Sequence, residues 1–543
     1  MKFKLLPLFI CLTFFARAQI KVDLIVYNAR VYTVDNKFSI NEAFVVKDGK
    51  IQEVGKSEYL FKKYATKEKL DAHKKYIYPG FIDAHAHFVG YSKELQTANL
   101  FNTSSWEEAI NRLSAFAETH PDGWLEGRGW DQNKWEGKQF PNNEKLNQLF
   151  PDRPVALIRV DGHAVIANNK ALQLAGIKPG QKVNGGEIES INGKLTGILI
   201  DNAKGLVESK VPDPSETQAT SAILLAQQNC FAVGLTSIDD CGLDFEVVQW
   251  LQKLQSNGSL KMRIYAMLSD KKKNYDFLFS RGKIKTDRMN VRSFKVYADG
   301  ALGSRGAALL QPYNDKPGWG GFLLSSQKHF DSVANIIYSH GFQMCTHAIG
   351  DSGNRTILNI YSKYLNGKND LRWRIEHAQV INQNDFQIFG KNNIIPSVQP
   401  THATSDMYWA EDRLGTKRLK GAYAFRQLLN ENGWVPLGTD FPVEDISPFK
   451  TFLAAVARQD SKGFPIGGFQ KENALTRQQA IRGMTIWAAK SNFEEQEKGS
   501  IEKGKFADFI ILDQDLMIVD SKNILNTKVL YTYINGEKVF NSN

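Results

Sequence analysis

Short β-branched and aromatic runs open the chain from about residue 21. LIVY, FVV and IQEV are separated by the turn-forming stretches YNA, VDN and KDGK. Asp48-Gly49, between two apolar runs, is a hairpin signal. The last fifty residues repeat this pattern with FIIL and VLYTYI, the latter turning at Asn535-Gly536. Two β segments at opposite ends predict one small β-sandwich built from residues 19–75 and 491–543. From 76 to 490 the rhythm changes, and apolar runs alternate with helical patterns such as 221–229, 330–340 and 421–430. Eight runs stand out: YPGFIDAH, FAVGLTSID, KMRIYAML, RSFKVYADG, GFQMCTHAIG, LRWRIEHAQ, NIIPSVQP and WVPLGTD. The fold class is therefore α/β, and a count of eight predicts a closed (β/α)8 TIM-like barrel. A doubly wound open sheet is the alternative, but no Gly-rich phosphate turn follows the first run.

One interval breaks the alternation. About 130 residues separate the first run from the second, far more than one crossover needs. This insertion, about 92–215, holds WLEGRGWDQNKW, RPVALIRVDGHAVIANNKAL and NGGEIESINGKLTGILIDNA. We expect a lid or substrate wall over the barrel mouth, where barrel sites form. An elaborated loop region with its own small core is the other reading.

Composition changes little in this picture. At 543 residues, 42% of them hydrophobic, the chain exceeds a single ordinary core and predicts a large domain plus a smaller one. Residues 1–18, MKFKLLPLFICLTFFARA, combine early lysines, a short apolar run and Ala-Arg-Ala. That is a secretory signal peptide cut before Gln19, so an exported protein, periplasmic or secreted, is expected. The net charge of +10 is spread among acids without a basic tract, so no nucleic-acid partner is expected. No other run is long enough for a membrane span, so the expected partner is a small-molecule substrate, with a homo-oligomer left open. Cys230, Cys241 and Cys345 lack metal-site spacing and read as buried free thiols.

The candidate chemistry sits at the predicted strand ends. Residues two apart share a strand face, so His85 and His87 project together with only Ala86 between them. Lys295 lies in the fourth run, His347 ends the fifth, Glu376-His377 the sixth and Thr439-Asp440 the eighth. Taken singly, His347 and His377 read as core histidines, Asp440 as a helix cap and Lys295 as an ion-paired lysine. Jointly they converge on the barrel axis. Imidazole and carboxylate favour zinc or a related divalent ion, which acidifies water and polarises a carbonyl. Asp440 then serves as general base and acid. Lys295 is the exception, since an ammonium repels metals. In a buried, cation-rich site its pKa falls, and the free amine reacts with carbon dioxide to give an anionic carbamate able to bridge two metals. His163 in the insertion, Arg305 and His402 are candidate substrate contacts, and Asp299 reads as structural.

HxH after PGFID, followed by KVYADG, HAIGD, RIEHAQ and LGTD, resembles the amidohydrolase superfamily of metal-dependent hydrolases. The longer stretches KVYADGALGSRGAALL, THAIGDSGNRTILN, SVQPTHA, GTDFPVE and DGHAVIANNKAL resemble its third subfamily, the YtcJ-like branch that includes N-substituted formamide deformylase. The resemblance covers essentially the whole mature chain. It implies a barrel with a terminal β-sandwich and metal, zinc or a related ion, held by His85, His87, His347 and His377. It also implies Asp440 as acid/base and further ligand, with Lys295 as an N6-carboxylysine bridging two ions. Which ion each of His347 and His377 binds stays open. The activity implied is hydrolysis of a C–N bond in an amide, formamide or cyclic amide. A deaminase or an ester or lactone hydrolase is the alternative, although no shuttling glutamate follows His347, where Ala-Ile-Gly-Asp stands. An inactive exported ligand-binding protein is the alternative from another class.

Overall fold

The structure is a computed structural model that describes residues 19–367 and 369–542. The signal peptide read in residues 1–18 lies outside the described residues. Seven strands form the central sheet: β1 (Phe81–Ala86), β2 (Leu235–Leu243), β3 (Arg263–Ser269), β4 (Met289–Tyr297), β5 (Gln343–Ala348), β6 (Arg374–His377) and β7 (Ile395–Ser397). Each pairs in parallel with the next in chain order, and the short strand Ile284–Lys285 adds antiparallel to β4. Helices such as Phe245–Ser256 and Gln327–Ser339 fill the crossovers. Every residue of β1 and of β5 is buried, because such strands face the barrel interior on one side and packed helices on the other.

The eighth predicted strand departs from regular form. Residues 434–440 form no regular strand and make a single parallel bridge, between Leu437 and Val398. The segment still closes the ring, because Ala84 donates to the Leu437 carbonyl at 3.2 Å and Gly438 donates to Val398 at 3.1 Å. Local chemistry explains the irregularity. Pro436 has no N–H for a ladder, and a Cβ at Gly438 would overlap the His85 backbone nitrogen. Asp440 then takes a left-handed φ of +63°, so the chain leaves the ladder as it reaches the barrel mouth.

The insertion is a folded unit. Strands Ala98–Asn99, Leu125–Trp130, Val155–Arg159, Ala164–Ala167, Lys194–Asp201 and Gly186–Ile191 form one sheet in that order. Strand periodicity sends Leu157, Ile166 and Ile198 into one apolar core and Ala156, Val165 and Leu199 into another. Both sequence readings of this interval therefore hold in part, for it has its own cores and, as described below, walls the mouth.

Both ends of the chain share one sheet. Its order is Glu537–Asn541, Val529–Ile534, Phe509–Leu512, Tyr76–Pro79, Arg30–Tyr32 and Ile40–Asn41. A second sheet, of Lys50–Gly55, Ala43–Lys47, Leu24–Tyr27 and Glu68–Asp71, shares with it a core that includes Val26, Phe44, Ile77, Phe509 and Tyr533. Only Gly80 separates Tyr76–Pro79 from β1, and a Cβ there would overlap Thr236. The terminal sheet thus runs straight into the strand that carries the HxH pair. Cys230, Cys241 and Cys345 are buried free thiols, and among the described residues no helix is long and apolar enough to cross a membrane.

Candidate metal centre

The C-terminal strand ends bring His87, Lys295, His347, His377 and Asp440 together in the lining of one cleft of about 370 Å³, with His85 buried against Lys295 and His377. Three of the histidines are aimed by their outer nitrogens. His85 Nδ1 lies 2.5 Å from the Glu376 carboxylate, His87 Nδ1 2.9 Å from the Cys241 carbonyl and His377 Nδ1 2.8 Å from Gln399 Oε1. Each of those oxygens can only accept, so each Nδ1 carries the proton and each Nε2 keeps its lone pair. Glu376 is itself held by Arg374, whose Nε is 2.7 Å away and whose Nη1 reaches Asp239 at 2.8 Å. Burial pushes the Glu376 carboxyl up, but Arg374 and His85 overrule it and set it at about 2. Glu376 is therefore an anion at any working pH.

Asp440 completes the ring of donors. Its Oδ1 is 3.2 Å from His87 Nε2 and 3.5 Å from His85 Nε2. Ligand atoms of His85, His377 and Asp440 all lie within 4.8 Å of one another. The rings of His347 and His377 are 4.6 Å apart between centroids. Burial, then neighbouring cations and imidazoles, drive the pKa of both well below that of an ordinary histidine, so both are neutral. Burial works against the Asp440 anion, yet the His87, His85 and His377 rings hold its pKa well below the usual carboxylate range.

A divalent ion needs such donors: neutral imidazoles and an ionised carboxylate. Among the described residues, Asp440 Oδ1, His347 Nε2 and His402 Nε2 at this centre are buried without a hydrogen-bond partner. Buried polar groups left unpaired are costly, about 1–3 kcal/mol each. Several such atoms around one point make a donor set for a cation, so the residues present fit a metal.

Lys295 behaves otherwise than expected. It is fully buried on β4, with Nζ 3.1 Å from His85 Nε2 and 4.8 Å from the Tyr297 ring centroid. Sequence reasoning surrounds it with cations that lower its pKa. In the structure burial does lower it, but Tyr297, Cys241, Glu376 and Asp440 more than offset that and leave it above the ordinary lysine value. These neighbours favour the ammonium.

The weaker candidates separate. His402 lies in the first turn of the helix after β7, with Nε2 3.6 Å from Asp440 Oδ2 and its ring stacked on His377. His163 reaches over from the insertion to lie 5.2 Å from the His347 ring, and both histidines line the cleft. Arg305 does not: it pairs with Asp315 at 2.9 Å away from the cleft lining. Asp299 accepts from the backbone N–H groups of Ala308, Ile349 and Gly350, which stitches two mouth loops together.

Sequence reasoning missed the residues that aim the ligands. Arg374 and Glu376 are two apart on one strand, so a buried charge pair on the interior face was readable from RIEH. Gln399 and the Cys241 carbonyl carry no sequence signal. The Asp83 carboxylate, which accepts from Thr439 and from the His85 backbone, stands in PGFID two residues before His85 on the same strand face.

Comparison with known proteins agrees with this geometry. Residues 68–540 match the Amidohydrolase family. YtcJ of Bacillus subtilis (strain 168) is 29% identical over 94% of this chain and 98% of its own. N-substituted formamide deformylase of Arthrobacter pascens is 28% identical, with 95% and 97% covered. The crystal structure of an uncharacterized metal-dependent hydrolase from Pyrococcus horikoshii OT3 superposes with a TM-score of 0.76 at 26% identity, covering 92% of this chain and 99% of that one. A strand-end His/Asp donor set on a parallel barrel, matched over most of its length to one family, places this chain in the amidohydrolase family as a metal-dependent hydrolase.

Proposed function

We propose that the protein hydrolyses a carbon–nitrogen bond of a small amide, formamide or cyclic amide, and that it does so after export. The observation that carries the reading is Asp440: an ionised, buried carboxylate whose Oδ1 has no hydrogen-bond partner, at the floor of a substrate-sized cleft. His85, His87, His347 and His377 would hold the metal with Asp440, and Lys295, as a carbamate, would be the bridge to a second ion. When bound, such an ion lowers the pKa of water and polarises a carbonyl oxygen.

The chain's own groups do the rest. Glu376 and the Cys241 carbonyl fix the His85 and His87 rings, so their lone pairs face inward without a search over rotamers. Asp440 accepts the proton of the attacking water and returns it to the departing nitrogen. An amine is a poor leaving group unless protonated, so a C–N bond makes use of this carboxylate in both steps. The 28% identity to a formamide deformylase supports the same bond class.

The test is turnover by protein purified without chelators and supplied with zinc or manganese. 4-Nitroformanilide, simple N-acylamines and a cyclic imide form the panel, with the released amine and acid both measured. Cleavage of at least one is expected. Ammonia release from aminated heterocycles with every amide left intact would overturn the bond assignment. Export is checked by N-terminal sequencing of the protein from its native host, where Gln19 is the expected first residue.

A further inference from the structure

The mechanism above leaves unused a histidine–carboxylate pair at the cleft, His163 with Asp201. His163 stands between strands Val155–Arg159 and Ala164–Ala167 of the insertion, and its Nδ1 is 2.6 Å from Asp201 Oδ1. A carboxylate oxygen accepts, so Nδ1–H is spent on Asp201. Among the described residues, Nε2 has no hydrogen-bond partner, and the ring lines the cleft 5.2 Å from that of His347.

Several features show that this arrangement is built. The His163 backbone N–H donates to Asp161 at 3.0 Å, and the Asp201 N–H donates to the His163 carbonyl at 2.8 Å, so the backbone is fixed on both sides. The Asp201 side chain is wholly buried, and its backbone sits in the left-handed region at φ +50°. The loop after β4 makes room for it. A Cβ on either Gly300 or Gly306 would overlap the Asp201 carboxylate, so the seam between barrel and insertion is shaped around that group. A wall needed only to exclude water has no use for an anion at its seam.

We propose that the insertion supplies a substrate-contacting histidine. His163 accepts through Nε2 from the amide N–H of the bound substrate, on the side of the cleft where His347 stands, and Asp201 is the residue that positions its ring. This deepens the amide-hydrolase reading and rests on it for the identity of that amide.

Acetohydroxamate, a small acyl compound that needs no turnover, is the probe. Its binding to zinc-loaded protein is measured by calorimetry alongside metal content and thermal midpoint. In His163→Asn and in Asp201→Ala the Kd should rise about tenfold, the scale of one lost hydrogen bond. Asp201→Asn retains an acceptor for Nδ1–H and should stay within about threefold of wild type, with metal content equal in all. A His163→Asn protein that binds as tightly as wild type overturns the proposal, as does a wild type that does not bind the probe. Asp201→Ala that folds and binds normally overturns the positioning role. A wild type that binds acetohydroxamate, weakens in His163→Asn and yet cleaves no amide would sink the bond assignment above while supporting this contact.

Discussion

Asp83 and Thr439 are 356 residues apart, yet the Asp83 carboxylate accepts from the Thr439 hydroxyl at 2.6 Å and from its backbone N–H at 3.0 Å. The same carboxylate accepts from the His85 backbone N–H at 3.2 Å. One buried side chain therefore ties the strand that carries His85 to the segment that carries Asp440. It does so where regular strand pairing has stopped, since residues 434–440 make a single bridge. Asp83→Ala removes three hydrogen bonds and leaves their donors buried. We expect a stability loss of about 1–3 kcal/mol and, because Asp440 is then free to drift, a fall in metal affinity of about 10–100-fold. Metal titration of the folded variant checks this; wild-type affinity would show that the clamp serves only folding.

Asp440→Asn separates holding the metal from moving protons. The amide retains one oxygen near His87 and His85 but cannot take a proton, and the four histidines remain. Metal content should stay close to wild type while kcat/KM on any cleaved amide falls about 10²–10⁴-fold, the usual weight of general acid–base catalysis. Turnover near that of wild type refutes the proton-transfer role outright.

These two residues also show what the sequence made legible. The alternation of strand-like and helical runs was enough for a barrel, and the position of each polar residue at a strand end was enough to bring His85, His87, Lys295, His347, His377 and Asp440 together. What periodicity cannot supply is the direction of a hydrogen bond. Gln399 reaches His377 from the next strand end, and Cys241 acts on His87 through a carbonyl that every residue possesses. For Arg305 the sequence left two uses open, binding a carboxylate or pairing with an acid, and in the structure it pairs with Asp315, ten residues on. For the insertion the sequence offered a wall over the mouth or loops with a small core of their own, and its alternating apolar positions form a six-stranded sheet.

A charged cluster far from the cleft sets an acid limit on the fold. Glu494 is buried between Lys498 at 2.7 Å and Lys285 at 2.6 Å, and Lys498 also donates to Ser237 on β2. Burial raises the Glu494 pKa, but the two lysines more than offset it and leave it below its ordinary value of 4.5. A depressed acid contributes stability that is complete above its unfolded pKa and is lost as pH falls through the folded one. The wild type should therefore lose stability below pH 4.5 partly through this group. Glu494→Gln leaves Lys498 buried without its partner, so it should cost about 3–5 kcal/mol near neutrality. The gap to wild type should narrow on acidification. Denaturant melts at several pH values test this, and a gap that stays constant down to acid pH would place the stabilisation elsewhere.

The last prediction concerns Lys295 and one lone pair. Its Nζ is 3.1 Å from His85 Nε2, and His85 Nδ1 is already committed to Glu376. The Nε2 lone pair cannot accept from an ammonium and also ligate a cation. Metal binding at His85 therefore requires the lysine either to swing away or to lose its positive charge. Lys295 lines the cleft but is fully buried beside Tyr297, and losing the charge is the change that leaves this packing intact. Reaction with carbon dioxide accomplishes this and adds two oxygen donors. We expect two metal equivalents per chain in protein loaded with bicarbonate present, and one or fewer in Lys295→Ala. Loading in carbon-dioxide-free buffer should reproduce the lower figure in the wild type, and added bicarbonate should restore it. One equivalent in both proteins, indifferent to bicarbonate, would instead mean that the lysine moves aside and the centre is mononuclear.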